Sequence, residues 1–346
     1  MNGQQPAGLN SKAADARPVF WSFRRCPYAM RARWALLQAG QLVQWREIEL
    51  KDKPAPMLEA SPKGTVPVLV LADGTVIDES LAVMHWALNQ ADPCDLRRQR
   101  SGKTQDSIQQ LIELNDTTFK HHLDRFKYTD RYPGQSKQDH QQQGLEVLRS
   151  WSDQIADCGG WLVDASCSLA DVALWPFVRQ WRIADPEGFD ADQSLQPLHG
   201  WLRRFLQDPD FERLMQRADP WHPGGLQPLF PADAVDVPAD QPLFHLALAE
   251  DWKAASLSGQ YDMSTRGLRL DQVGFIHLSW REQVAATFER FYADAESVVL
   301  LTIDAALLTA PLRADAIPSG ELFPHLYGPL PIEAVVDAAP YLDSER

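Results

Sequence analysis

An apolar run at residues 19–23, Val-Phe-Trp-Ser-Phe, breaks directly into Arg24-Arg25-Cys26-Pro27-Tyr28. The run reads as a buried strand. Proline suits the first position of a helix, where its missing N–H would be unpaired anyway and its φ is already helical. The chain is therefore committed to a strand that turns into a helix at Cys26. That geometry sets the sulfur against the positive end of the helix, beside Arg24 and Arg25, which predicts a thiol displaced toward thiolate, the nucleophilic form. No cysteine stands at position 29, so a disulfide formed here takes its second sulfur from another molecule. Taken alone, the motif also fits a small buried cysteine packing a helix end.

Strand and helix keep alternating to about residue 90. Met30, Trp34 and Leu37 fall on one helical face, ended by Gly40, and a strand is expected at 43–50. Residues 66–71 form another apolar strand, Asp73-Gly74 is a hairpin turn signal into Val76-Ile77, and Glu79-Ser80 open a helix through Leu81, Met84 and Leu88. From 100 to 218 the pattern is helical. Ser168 and Asp171 have capping-box spacing ahead of an apolar run, and the Gln-rich stretch 131–144 reads as a solvated loop or helix end. Residues 219–242 hold six prolines and a Gly-Gly pair, a linker of limited flexibility. Beyond it, strands are expected at 243–248, 274–279 and 298–303 and amphipathic helices at 249–258 and 281–292.

A length of 346 residues predicts two or three domains. The expected layout is a polar, disordered tail (1–17), an α/β domain (18–92), an all-helical domain (100–218), the linker (219–242) and a small α+β domain (243–341). The tail has no apolar core of the kind a signal peptide carries, and no run approaches the length of a membrane span. Four cysteines without paired spacing fit a reducing, cytoplasmic setting. The net charge of −14 argues against a nucleic-acid partner. Residues 241–346 carry 7 Lys+Arg against 15 Asp+Glu, so the last domain is the more acidic part.

Cys26-Pro27-Tyr28-x-x-Arg31, the Lys51-Asp52-Lys53-Pro54 run, Val66-Pro67 and Glu79-Ser80 together resemble the cytosolic glutathione transferase family, above all its cysteine-bearing, omega-like branch. The resemblance covers about 18–218. It implies a thioredoxin-like domain followed by an all-α domain, with the site in the cleft between them, and a homodimer as one assembly. It implies a cis bond at Val66-Pro67 that leaves the Val66 backbone to pair with a peptide ligand. Ser80 would then hold the carboxylate and Glu79 the ammonium of a γ-glutamyl group, and Lys53 would meet the glycine carboxylate of glutathione. Read singly, Ser80 is a routine helix cap, Lys53 a surface lysine and Pro67 an edge-strand residue.

A cysteine at position 26 implies mixed-disulfide chemistry with glutathione as co-substrate: thiol transfer, deglutathionylation or dehydroascorbate reduction, ahead of conjugation to an electrophile. Tyr28 is a candidate for steadying the thiolate or simply a packing aromatic. Phe119-Lys120-His121-His122, Phe126-Lys127-Tyr128 and Arg131-Tyr132 fall where the family places the second-substrate wall, with Tyr128 and Arg131 as candidates; a solvated helix face is the alternative. His121 and His122 are adjacent and are expected to face different ways on a helix, so no metal is expected.

In the last domain, clusters around His245, His277 and Glu321–Tyr327 resemble a small bacterial and plant domain family without established function, distantly similar to ADP-ribosyltransferases. On that likeness His245, His277 and Glu321 match a ligand-binding triad in order, with His325 and Tyr327 as extras. Strand histidines satisfied by hydrogen bonds are the alternative. Two rivals accompany the glutathione-dependent reading: a non-catalytic binding or stress protein of the same fold, or a main activity in the last domain.

Overall fold

The computed structural model describes residues 17–99 and 101–341; residues 1–16 of the expected tail lie outside the described residues. Strand β1 (Val19–Ser22) is buried on both faces and passes at Cys26 into α1 (Pro27–Gln38). The chain returns in β2 (Val43–Glu47), parallel to β1, then runs through the short α2 (Ala55–Ala60) to β3 (Val68–Val70), antiparallel to β1, and β4 (Val76–Ile77). Helix α3 (Ser80–Gln90) packs beside α1. This βαβ unit followed by ββα is the thioredoxin-like arrangement. A fifth strand, β5 (Leu229–Phe230), extends it to the order β4-β3-β1-β2-β5.

The second domain is helical. Helix α4 (Gly102–Leu114) runs through a π-helical turn, Asn115–Phe119, into α5 (Lys120–Lys127). The Gln-rich stretch read as a solvated loop or helix end is the start of helix α6 (Lys137–Asp157), which Ser136 caps by accepting from the Asp139 N–H at 3.1 Å. Helix α7 (Leu169–Ala184) is buried along most of its length. It starts where Asp171 accepts from the Ser168 N–H at 2.8 Å and the Ser168 hydroxyl at 2.6 Å. Helices α8 (Pro186–Ala191), α9 (Gln196–Gln207) and α10 (Pro209–Leu214) close the bundle. The two domains share one core: Trp34 of α1 meets Trp175 of α7 and Phe205 of α9 edge-on, each at 5.3 Å.

The segment 219–242 departs from the expected linker. Trp221 donates its N–H to the Glu47 carbonyl at 2.8 Å and sets its ring edge-on to Trp21 at 5.1 Å. Phe230 pairs with Val43 in β5, and β6 (Ala234–Asp236) pairs with a strand of the last domain. Proline holds such a chain extended, and here its aromatic residues find pockets in the first sheet.

The third domain is β-rich. Strand β7 (Leu243–Leu248) leads into α11 (Ala249–Ser258), then β8 (Gln260–Tyr261), β9 (Met263–Thr265), β10 (Leu268–Arg269) and α12 (Leu270–Val273). The strand expected at 274–279 shrinks to β11 (Ile276–His277), because Gly274 takes a left-handed φ of 94° to end α12. Helix α13 (Val284–Phe291) and β12 (Val298–Ile303) follow. Strands β13 (Leu312–Ala316), β14 (Leu322–Leu326), β15 (Leu330–Pro331) and β16 (Val335–Pro340) complete the domain. One sheet runs β16-β12-β7 and another β11-β14-β13-β6. Leu243 and Ala247 of β7 enter one apolar cluster while Phe244 and Leu246 enter a second, the period-two division of a strand covered on both faces.

Candidate active site

Cys26 is the N-cap of α1, with extended backbone and Pro27 behind it. Its position is set from the strand side by Glu47, which accepts from the Arg24 N–H at 2.6 Å, from buried Arg33 at 2.6 Å and from the Trp45 indole at 3.1 Å. The Cys26 thiol donates to the Val66 carbonyl at 3.7 Å. Val66-Pro67 is cis, and the ladder between β1 and β3 begins only at Val68 opposite Trp21, so the Val66 backbone stands outside it. Pro67 itself is buried behind Val66.

The expected source of thiolate stabilisation is corrected. Burial pushes the Cys26 thiol up from its ordinary value, against the backbone N–H groups of Ala29 and Tyr28 and the charges of Lys120 and Arg31. Arg24 and Arg25 contribute little because they are turned elsewhere. Arg24 reaches toward the Met215 carbonyl, and Arg25 lies over the Phe23 ring at 5.6 Å. Desolvation therefore wins, and the resting group is a thiol.

Ser80, the first residue of α3, is buried and accepts from Arg31 at 3.0 and 2.8 Å. Arg31 also grips Asp116 in the π-helical turn with a bidentate pair at 2.9 and 2.8 Å. Exposed Glu79 accepts from Lys63 at 2.6 Å, and Lys63 reaches Asp78 at 3.2 Å. Lys53 makes no ion pair or hydrogen bond among the described residues; its ammonium lies beside Gly64, 3.4 Å from where a Cβ would sit. Cys26 and Val66 thus touch, Ser80 joins them through Arg31, and Glu79 and Lys53 lie at the rim on the segments around Lys63 and Gly64. Asp116 and Lys63 were absent from the sequence reading, and Lys120 was visible only as part of the basic and aromatic wall. Arg31 was visible in the motif, but nothing in the pattern announced its partners, which come from distant segments.

On the helical side, Tyr28 packs edge-on against Phe177 at 4.9 Å with Arg31 over its ring at 5.0 Å. Burial and the Asp116 carboxylate raise its phenol to about 12, so it stays protonated. Lys120 also stands over that ring at 5.8 Å and pairs with Asp124. Tyr128 is exposed, flanked by Arg131 at 4.4 Å and Lys127 at 5.1 Å. Lys127 bonds Gln180, which donates to the Arg25 carbonyl at 3.3 Å, tying this aromatic and basic group to the Cys26 turn. Phe119 and Phe126 are buried against Trp151 and Trp181 and belong to the core. The expectation that adjacent His121 and His122 point apart fails: their rings lie 5.1 Å from each other and 5.5 and 5.1 Å from His140 of α6.

In the third domain a cavity of about 450 Å³ is lined by His245, His277, Ser279, Gln283, Arg290 and Glu321 among apolar side chains. His245 donates from Nδ1 to the His277 carbonyl at 2.7 Å and accepts at Nε2 from the Tyr261 hydroxyl at 3.0 Å. Burial holds it down to about 4, so it is a neutral, fully engaged strand histidine. His277 is held down to about 4 by the crowding around it and by His325 and His245, and contacts the Ser264 hydroxyl at 3.0 Å. His325 and Tyr327 do not line this cavity. Asp315 accepts from His325 at 3.0 Å, Tyr327 at 2.8 Å, Arg313 at 2.9 Å and Arg213 at 2.5 Å, a buried cluster at the junction with α10. Arg313 also donates to the Gln41 carbonyl at 3.2 Å, and the Tyr327 ring lies flat against Gly40.

Comparison with known proteins matches residues 20–95 to the glutathione S-transferase N-terminal domain and 120–204 to the glutathione S-transferase C-terminal domain. Residues 246–338 match DUF952, a protein family of unknown function. Glutathione S-transferase omega-1 of Mus musculus is 32% identical over 99 residues, 27% of this chain and 41% of that protein. The Sus scrofa counterpart is 33% identical over a stretch of the same length. The chain thus spans about two-fifths of the length of these curated relatives. A glutathione S-transferase from Methylobacillus flagellatus KT, solved with glutathione bound, superposes with a TM-score of 0.51 at 18% identity, covering 58% of this chain and all of that one. That likeness is one of fold. Among the described residues, no helix is long and apolar enough to cross a membrane.

Proposed function

We propose, for a chain whose first two domains are a glutathione S-transferase pair, that Cys26 is the nucleophile of a glutathione-dependent thiol transferase. The observation that carries this reading is the Cys26 sulfur at a helix start, donating at 3.7 Å to the Val66 carbonyl, which stands outside the strand ladder, with the Tyr28 and Ala29 N–H groups directed at it. In the resting state Val66 accepts the thiol proton. A peptide ligand whose N–H pairs with that carbonyl displaces the S–H donor. The helix N–H groups, Arg31 and Lys120 then favour the thiolate.

The thiolate attacks the glutathione sulfur of a mixed disulfide, R–S–S–glutathione. The sulfur–sulfur bond breaks, R leaves as a thiol on taking a proton, and Cys26 carries glutathione. A second glutathione thiolate attacks that bond, releases glutathione disulfide and restores Cys26. The Ser80 hydroxyl, whose acceptor positions face Arg31, keeps its O–H to donate to the γ-glutamyl carboxylate. Glu79 meets the neighbouring ammonium and Lys53 the glycine carboxylate. Tyr28, Tyr128 and Arg131 border the side from which the second substrate, a small disulfide or electrophile, arrives. Incubation with glutathione disulfide followed by intact mass tests this. One reductant-reversible glutathione on Cys26 is expected, and labelling of Cys94, Cys158 or Cys167 instead removes the assignment.

A second site is favoured by the cavity of the third domain, whose volume suits a small, partly apolar ligand. There His277 and Glu321 are joined by Ser279, Gln283 and Arg290 as polar contacts; His245 buttresses the wall, and His325 and Tyr327 do not line it. Titration of the full chain with NAD and ADP-ribose, read by shifts of the His277 ring, tests it.

A further inference from the structure

The histidines at the crossing of α5 and α6 form a group that the glutathione chemistry does not use. His121 and His122 lie in the first turn of α5, and His140 lies in the first turn of α6, eighteen residues beyond His122. One ring nitrogen of each lies within 4.8 Å of the other two. Nδ1 of His122 and Nδ1 of His140 are 2.9 Å apart.

We propose that His121, His122 and His140 bind a single divalent transition-metal ion, of which Zn²⁺ is the fitting class, with water in the fourth position. Three imidazoles plus water is an established zinc donor set, with Zn–N bonds of about 2.0–2.1 Å and hence about 3.3 Å between ligand nitrogens. The His122–His140 pair is already near that spacing. His121 is exposed, so its ring closes the remaining gap by a rotamer-scale movement. An all-imidazole set favours Zn²⁺, Cu²⁺ or Ni²⁺ over Mg²⁺ or Ca²⁺.

The outer contacts fit as well. His140 Nε2 lies 3.0 Å from Gln135 Oε1. A carboxamide oxygen only accepts, so His140 carries its proton on Nε2 and turns a bare Nδ1 lone pair toward the cluster, the orientation that outer partners of metal-bound histidines impose. His122 then donates Nδ1–H to it without metal, and exchanges that proton to Nε2 when it ligates. The charges facing the cluster are Arg125, Asp124 and Glu146; Arg125 is drawn to the His121 carbonyl at 3.2 Å and the Tyr132 ring at 4.4 Å. A bound ion ties α5 to α6, and α5 also carries Lys120, whose charge reaches Cys26.

The test is a Zn²⁺ titration of the full, tag-free chain, competed against a chromophoric chelator. One equivalent is expected, with broadening or shifts of three histidine rings and a rise in Tm that grows with free Zn²⁺. Gln135→Ala should weaken binding by about 10-fold through the lost outer contact. His140→Ala and the surface change His121→Gln should weaken it further and abolish the Tm rise. His222→Ala and Cys26→Ser should leave it intact. No stoichiometric binding, or binding indifferent to His121→Gln and His140→Ala, overturns the proposal.

Discussion

The Ser80 hydroxyl accepts two N–H groups of Arg31, at 3.0 and 2.8 Å, while the far edge of the same guanidinium holds Asp116 at 2.9 and 2.8 Å. One buried side chain thus joins α1, the start of α3 and the π-helical turn between α4 and α5. The π-turn's extra residue places Asp116 where a regular helix would aim it elsewhere, a use of such bulges common at functional sites. Arg31→Met should therefore act on both stability and ligand. It leaves Asp116 with the Asn115 amide but without its charged partner and should lower unfolding free energy by about 3 kcal/mol, the low end for breaking a buried ion pair. Urea unfolding measures this, and a loss under about 1 kcal/mol would show the network to be incidental.

The state of Cys26 has a signed pH consequence. Burial raises the thiol above its ordinary value, so the thiol form prevails at neutral pH and thiolate accumulates only as pH rises through the elevated midpoint. Alkylation rate against pH should show a midpoint above ~8.5, the value of free cysteine. Lys120→Met removes one of the charges that lower it and should move the midpoint further up. A midpoint below that of free cysteine would contradict both statements.

Replacing Cys26 by serine separates chemistry from binding. Disulfide reduction should fall to background, because a hydroxyl forms no mixed disulfide, while glutathione affinity by calorimetry stays near that of the parent. Conjugation to an electrophile should persist, since the hydroxyl still donates to a glutathione thiolate. Full disulfide reduction by the variant would exclude the mixed-disulfide route.

Asp315 ties the third domain to the other two. Burial alone would raise its carboxyl, but hydrogen bonding from His325 and the charges of Arg313 and Arg213 hold it well below the usual carboxylate range. A depressed folded-state value stabilises above the unfolded value, ~3.9, and the contribution is lost as pH falls below it. Asp315→Asn leaves buried Arg313 facing a neutral group, while Arg213 keeps Asp210 and Asp233, and should cost about 3 kcal/mol at neutral pH. Calorimetry should then resolve two transitions where the parent shows one, with the difference shrinking in acid.

Gly40 offers an independent test of the same junction. Its φ is +64°, and a Cβ there would stand 2.3 Å from Cγ of Tyr327. Gly40→Ala should displace Tyr327 and expose 219–242 to limited proteolysis while leaving glutathione binding intact. Unchanged protease resistance would mean that the contact does not hold the domains together.

The order of strands and helices to residue 90, the helical character of 100–218 and the presence of a further small domain after them were legible in the sequence, because apolar period, caps and turn residues act within a few positions. The placement of Cys26 at a helix start followed from the same local signals, whereas its meeting with the Val66-Pro67 turn and with Ser80 was what the family resemblance implied. Tertiary structure decided the rest. Whether Cys26 rests as thiol or thiolate depended on how much protein surrounds the sulfur and on Lys120, ninety-four residues away in the chain. The partner of Arg31, the third histidine of the α5–α6 crossing and the docking of Asp315 on Arg213 each join segments that no short-range pattern links. The proline-rich stretch was readable as extended chain, but its pairing with both sheets was not. Desolvation and Coulomb energy are set by everything within several ångströms in space, whereas periodicity and capping are written between neighbours in the chain.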